Sequence, residues 1–110
     1  MSNPVTHWWV QRLSSLVLIP LSLWLIYAGL SMAGADYETA RAFMSRPTNL
    51  MMAVGLTLVA MYHSVLGIEV IAEDYLSPGL GKFCINVARL GCSVGALAVI
   101  WAAYQLSFGA

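Results

Sequence analysis

Three long apolar runs, separated by short polar segments, dominate the chain. They extend from Leu13 to Met32, from Asn49 to Ala72 and from Phe83 to Phe108. A helix needs roughly 20 apolar residues to cross a hydrocarbon core about 30 Å thick, and each run is at least that long. The pattern therefore predicts an all-α membrane protein with three transmembrane helices.

The polar segments set the ends of these predicted spans. Arg12 precedes the first span, Arg46 and Pro47 precede the second, and Lys82 precedes the third. No fixed-period repeat or low-complexity segment divides the chain, so residues 1–110 are predicted to form a single domain. Three helices enclose little interior, and we therefore expect them to be part of a larger bundle with a partner subunit.

The composition supports a lipid environment. Hydrophobic residues make up 60% of the chain and charged residues only 9%, with a formal net charge of zero. Soluble domains usually carry roughly 25% charged residues. Because there is neither a basic excess nor a basic cluster, nucleic-acid binding is excluded.

The distribution of basic residues favours one orientation. Arg12 and Lys82 lie on the same side as the N-terminus, whereas the two arginines of the first connection are offset by two acids. The positive-inside rule therefore predicts a cytoplasmic N-terminus.

His63 is an ionisable residue in the middle of the second predicted span. It lies ten residues before Glu73, which is about 15 Å along a helix and close to the centre of a bilayer. Such a residue is costly in lipid and indicates a functional site. Two interpretations remain open: a hydrogen bond to a neighbouring helix, and an axial ligand to a haem iron. Ala60 and Gly67, one turn away on either side, leave room for a flat macrocycle.

The second span ends in a polar cluster. Glu69 and Glu73 are one turn apart, and Asp74 and Tyr75 come just before the turn-forming residues Ser77-Pro78-Gly79. A solvated helix end and an interfacial anchor would explain them. A phenol at this position can also donate a hydrogen bond to the carbonyl of a lipid-soluble quinone.

Arg12 and a glycine pair admit two interpretations each. Arg12 lies on the same side as Tyr75, where it can contact lipid headgroups or pair with a haem propionate.

In the third span, Gly91 and Gly95 form a small-xxx-small pattern, which is common by chance but favours close packing with a partner helix.

The two cysteines, Cys84 and Cys92, lie in an apolar stretch without CxxC spacing or a paired histidine. This pattern favours buried structural thiols over a metal site or a disulfide.

Two motifs resemble the small hydrophobic membrane-anchor subunit of succinate dehydrogenase (respiratory complex II), the D-type subunit of bacterial and mitochondrion-like members. The first motif is His63-Ser64-Val65-Leu66-Gly67, with Glu73-Asp74-Tyr75 at the end of the same helix. The second is the opening Thr6-His7-Trp8-Trp9-Val10-Gln11-Arg12-Leu13-Ser14. The resemblance covers essentially the full chain, and the spacing from His63 to Asp74-Tyr75 is its specific part.

The resemblance implies roles for particular residues. His63 would be an axial ligand of the haem b iron, and Arg12 would lie near the haem propionates and the quinone pocket. Tyr75 would hydrogen-bond a quinone carbonyl, with Asp74 at the edge of that pocket. His7 is a further candidate for contact with the propionates. The resemblance assigns no role to Glu69 or to the cysteines.

The resemblance also implies partners and a location. A C-type anchor subunit would supply the second haem histidine, and an iron–sulfur subunit would carry electrons from a flavoprotein that oxidises succinate. The substrate would be a quinone, with ubiquinone expected, in electron transport linked to the tricarboxylic acid cycle. The chain alone would catalyse nothing. The expected location is the bacterial inner membrane, in preference to the mitochondrial inner membrane.

Other functions remain open. A fumarate reductase-type anchor shares this architecture. A small multidrug-type transporter has a similar length but uses four spans and an acid in the first, whereas three spans are predicted here and the first contains no acid. A structural assembly subunit without a cofactor is a further alternative.

Overall fold

The computed structural model describes residues 4–109, which form four helices. They are α1 (Pro4–Met32), α2 (Tyr37–Ser45), α3 (Pro47–Tyr75) and α4 (Pro78–Phe108). The helices α1, α3 and α4 are long and apolar enough to cross a membrane. The prediction of an all-α membrane protein with three spans is confirmed; the extreme ends of the predicted domain lie outside the described residues.

The three long helices extend beyond the predicted apolar spans. They contain 29, 29 and 31 residues, or about 43 to 46 Å at 1.5 Å per residue. This length matches a bilayer with its headgroup layers, about 40–45 Å thick. The first helix begins at Pro4 rather than Leu13, so Trp8 and Arg12 lie within α1 and not ahead of it. The apolar pattern of the sequence identifies the part of each helix that lies in the hydrocarbon core. It does not identify the additional helical turns that cross the headgroup layers.

The short helix α2 lies in the connection between the first two spans, where the apolar pattern predicts no helix. Gly34 has a φ of 75°, a left-handed conformation that suits glycine and lets the chain leave α1. Asp36 then caps α2, since its Oδ1 accepts a hydrogen bond of 2.8 Å from the backbone N–H of Thr39. Hydrogen bonds from the Thr39 side chain and backbone hold the pKa of Asp36 below its ordinary value of 3.8.

Helix α3 is the central element of the bundle. It packs against α1 and α4, whereas among the described residues no Cα atom of α1 lies within 8 Å of one of α4. Buried Asn49 ties one end together: its Oδ1 accepts a 3.4 Å hydrogen bond from Trp24 of α1, and its Nδ2 donates to the Phe43 carbonyl of α2. Any site between spans therefore involves α3.

Close packing of α4 on α3 depends on two glycines. A Cβ atom at Gly95 would collide with the side chain of Met61, and one at Gly81 would lie 3.2 Å from the carbonyl oxygen of Ala72. Gly91 faces open space, with nothing within 4 Å of such a Cβ. Of the two glycines in the small-xxx-small pattern, Gly95 packs closely against another helix and Gly91 does not. The helix that Gly95 meets is α3 of the same chain.

Large apolar side chains cover the outside of the bundle. Among the described residues the buried hydrophobic side chains are few, namely Leu21, Ala28, Leu66 and Ala72. Meanwhile side chains such as Leu30 remain 76% exposed. This is the reverse of a water-soluble domain and fits surfaces that face lipid or another transmembrane chain.

Candidate functional site

His63 lies near the middle of α3. It precedes the last residue of the helix, Tyr75, by twelve positions, which is about 18 Å of a helix about 43 Å long. Only a few ångströms therefore separate it from the helix midpoint. This placement agrees with the mid-membrane depth predicted from the sequence.

The side chain of His63 is held by Ser14 of α1. The Nδ1 atom lies 2.7 Å from the Ser14 hydroxyl oxygen, which itself lies 2.8 Å from the backbone carbonyl oxygen of Gln11. A carbonyl can only accept, so Ser14 donates its one proton to Gln11 and must accept from His63. In the neutral form of the ring this arrangement puts the proton on Nδ1 and the lone pair on Nε2.

A cavity of about 660 Å³ opens between the first half of α1 and α3. This volume falls within the range for ligand pockets. Two of the residues that line it, His63 and Arg12, are the ones that the sequence analysis assigns to a haem. The lining residues are Pro4, His7, Trp8, Gln11, Arg12, Ser15, His63, Gly67, Val70 and Ile71. The structure thus brings His63 and Arg12 to one cavity, although they belong to different helices.

Two lining residues shape this cavity. The guanidinium carbon of Arg12 lies 5.0 Å from the centre of the Trp8 ring, a cation–π contact that holds the charge at the cavity wall. Gly67 meets nothing within 4 Å of a Cβ placed on it, so a larger side chain there would project into free space along α3. The room predicted beside His63 is present.

Tyr75 and Asp74 lie elsewhere. Both are exposed at the end of α3, with Tyr75 81% exposed, and neither lines the cavity that contains His63. The chain turns at Leu76 and Ser77 before α4 begins. The second predicted site is therefore an open helix end rather than an enclosed pocket of the described residues.

Comparison with known proteins establishes the family. The model of the succinate dehydrogenase/fumarate reductase transmembrane subunit family matches residues 1–104. The chain belongs to this family. The expected resemblance is confirmed, and the alternative of a small multidrug-type transporter is set aside.

Several relatives of this family come from Rickettsia and are named succinate dehydrogenase hydrophobic membrane anchor subunit. The protein of Rickettsia felis is 30% identical over 99 residues, which cover 89% of this chain and 82% of that protein. The protein of Rickettsia typhi is 31% identical over 99 residues, 89% of this chain and 79% of the relative. That of Rickettsia bellii is 35% identical over 71 residues, 64% of this chain and 57% of the relative. No solved structure matches the chain significantly.

In this member of the family, a second polar cluster lies beside the cavity. Glu69 of α3 is buried, and its Oε1 accepts hydrogen bonds of 2.6 and 3.2 Å from Nη2 and Nε of Arg89 on α4. Its Oε2 lies 3.7 Å from Nε2 of His7 on α1. The sequence shows charges of opposite sign inside the second and third spans, which is a signal for pairing.

Ser14, the partner of His63, is not predicted by the sequence. It gives no distinctive sequence signal, because a serine in an apolar run usually bonds its own helix backbone.

Cys84 and Cys92 carry free thiols and are half-buried rather than fully buried. Among the described residues, no three His, Cys, Asp or Glu side chains form a group that could hold a metal ion.

Proposed function

We propose that the chain is a membrane-anchor subunit of a succinate:quinone oxidoreductase, with a haem b site at His63 and part of a quinone site at the end of α3. Membership of the family and three spanning helices support the anchor role. The observation that carries the haem assignment is the hydrogen bond between His63 and Ser14, because it leaves Nε2 free at a residue that lines a large cavity.

The residues at this cavity suit a haem. Imidazole is a common axial ligand to haem iron, and a metal-binding histidine usually donates its other N–H to a fixed acceptor, as His63 does to Ser14. Arg12 supplies a planar cation suited to a propionate. Gly67 leaves space beside His63. A bound haem would supply a one-electron carrier at mid-depth in the membrane.

This chain's own residues would orient and tune that group. Ser14 fixes the rotation and tautomer of the His63 ring, which sets the direction of the Nε2 lone pair. Arg12, held over Trp8, places a positive charge at the cavity wall. A second axial histidine would come from the C-type anchor subunit, since the other histidine, His7, approaches Glu69 instead.

The quinone role rests on Tyr75 and Asp74. Both are exposed at the end of α3, about 18 Å from His63 along the helix, at the depth where water reaches a membrane protein. The Tyr75 phenol would donate a hydrogen bond to a quinone carbonyl and stabilise the negative charge that develops there on reduction. Asp74 would help to supply protons from water. The open geometry fits a pocket whose remaining wall comes from the iron–sulfur and C-type subunits.

The family description covers succinate dehydrogenases and fumarate reductases, and the residues of this chain have the same roles in either direction of electron flow. We propose a bacterial inner-membrane location with a cytoplasmic N-terminus, so that Tyr75 lies at the cytoplasmic face. The flavoprotein and iron–sulfur subunits would dock there, and ubiquinone would be the substrate.

A reduced-minus-oxidised absorption spectrum of the purified complex tests the haem assignment. His63→Ala should abolish or shift the b-type bands and reduce haem content. Ser64→Ala is a matched control, since the neighbouring Ser64 is exposed and bonds only the Ala60 carbonyl of its own helix among the hydrogen bonds described for it. An unaltered spectrum with full haem content in His63→Ala would refute the ligand role.

A further inference from the structure

Ionisable residues from all three spanning helices meet at Glu69. Its carboxylate is anchored on one side, where Oε1 accepts both hydrogen bonds from Arg89. The other oxygen, Oε2, lies 3.7 Å from His7 Nε2. The Glu69 side chain is only 9% exposed, so its charge interacts with these two partners more strongly than it would in water. We call these three residues the His7–Glu69–Arg89 cluster.

The two partners of Glu69 differ in kind. Arg89 is permanently charged, and its side chain is 53% exposed, so it connects the cluster to the surface of the bundle. His7 can gain or lose a proton, and its side chain is only 16% exposed. Its Nε2 is fully buried and makes no hydrogen bond within the described residues. The imidazole is thus on the inner side of the cluster and the guanidinium on the outer side.

His7 also lines the cavity that contains His63 and Arg12. One turn further along α1, Gln11 lines the same cavity, and its buried Oε1 makes no hydrogen bond to any residue of the described range 4–109. Glu69 itself lies six residues before the end of α3, or about 9 Å, close to the boundary between hydrocarbon and headgroups. The cluster therefore joins the edge of the cavity to a depth that water can reach.

We propose that the His7–Glu69–Arg89 cluster is a proton-uptake site that couples protonation of His7 to the arrival of an electron in the cavity. This inference rests on the proposed haem site. The electron comes from the iron–sulfur subunit, or from dithionite in a titration. The proton comes from water and forms an N–H bond at Nε2 of His7, and the hydroxide passes to the bulk solution.

Electrostatics gives the direction of the coupling. An added negative charge in the cavity favours the cationic form of His7, and the Glu69 carboxylate, which lies outside the cavity lining, favours the same form. Among the described residues, the charged groups that face this region are Arg12 on α1 and Arg89 on α4, and the other titratable groups include His63 on α3. Tyr62 on α3 and Cys92 on α4 line a second cavity together with Glu69 and Arg89. Arg12 and Arg89 carry permanent charges, and Nδ1 of His63 is hydrogen-bonded to the Ser14 hydroxyl. Helix α2 lies at the opposite end of α1.

Glu69 acts in this scheme as a positioning residue. It does not line the cavity, and its Oε2 lies 3.7 Å from Nε2 of His7, where a carboxylate favours a positive charge on the imidazole. Arg89 in turn fixes the carboxylate, so that Oε2 rather than Oε1 faces His7. By linkage, proton uptake on reduction makes the haem midpoint potential depend on pH.

Redox titration of the haem at a series of pH values, in the purified four-subunit complex, tests the proposal. The wild-type potential should fall as pH rises. In Glu69→Gln and in His7→Gln, the slope of potential against pH should drop below half of the wild-type slope. The double variant should resemble either single variant, since both changes disable one unit.

Glu73→Gln is the matched control. Glu73 is exposed one turn further along α3 and should leave the slope unchanged. Glu69→Asp, which keeps the charge, should restore part of the slope. If Glu69→Gln fails to assemble because Arg89 loses its partner, His7→Gln decides, since it leaves the Arg89 bonds intact.

The outcomes separate this inference from the proposed function. A haem-containing wild-type complex with a flat profile, or a wild-type slope in either single variant, overturns the cluster as the proton site. A wild-type complex without b-type bands overturns the proposed function, and this inference with it.

Discussion

The imidazole of His63 donates its Nδ1 proton to Ser14, 2.7 Å away on the neighbouring helix. This bond joins two spans at mid-depth and selects the tautomer that leaves Nε2 free. It explains how a histidine is tolerated in an apolar helix, since one nitrogen is satisfied within the chain.

Removal of this bond should weaken haem binding without removing the ligand. Loss of an acceptor behind a metal-binding histidine typically costs about 10- to 100-fold in affinity. Ser14→Ala should therefore lower haem retention by about that factor, measured as haem lost from the purified complex during dilution. Ser64→Ala is the control, because exposed Ser64 donates its hydroxyl proton to the Ala60 carbonyl of its own helix and does not line the cavity. Equal haem retention in the two variants would contradict the orienting role of Ser14.

Tyr75→Phe should separate quinone reduction from succinate oxidation. The change removes a hydroxyl that would stabilise charge on the quinone and leaves the helix end intact. Loss of one such donor typically costs about 10²- to 10³-fold in rate where the site is enclosed, and the open site here should show the lower end. The assay compares ubiquinone with an artificial acceptor that takes electrons from the soluble subunits. Tyr37→Phe serves as the control, because Tyr37 at the start of α2 is also highly exposed. A parallel loss with both acceptors would speak against a quinone contact.

The contact between Gly95 and Met61 predicts unequal effects along α4. Gly95→Leu would drive a side chain into Met61 and should lower the free energy of unfolding by about 1–3 kcal/mol. Met61→Ala in the same chain should recover part of this loss by making space. Gly91→Leu should cost less, because Gly91 faces open space in the chain. Unfolding in detergent, followed by circular dichroism, measures the difference, and identical costs at both glycines would refute the packing.

The cap of α2 should weaken in acid. The Thr39 hydrogen bonds lower the pKa of Asp36 in the folded chain, so the ionised form is favoured by folding. The stabilisation is therefore fully present above the unfolded pKa and is lost as pH falls through the lower folded value. Hydrogen exchange at the first amides of α2 should accelerate in this acidic range. In Asp36→Ala, exchange should be fast at every pH, whereas Asp36→Asn should keep the cap and lose the pH dependence. The same acid response in Asp36→Asn would rule out this carboxylate as its source.

The sequence by itself determined the three spans, because insertion of a helix into lipid depends on transfer free energies that add up along each segment. It also placed His63 at mid-depth and Tyr75 at the helix end, since axial position follows from counting residues. The headgroup turns of α1 and the helix α2 were missed, because caps and interfacial residues leave little trace in hydropathy.

Only the tertiary structure decided which side chains meet. The contacts of Ser14 with His63, and of Glu69 with Arg89 and His7, depend on the rotation and relative height of three helices. Those variables are set by packing details such as Met61 against Gly95, rather than by the composition of any one helix. The apolar runs therefore predict how deep each polar residue lies, and the packing of α3 between α1 and α4 assigns its partner.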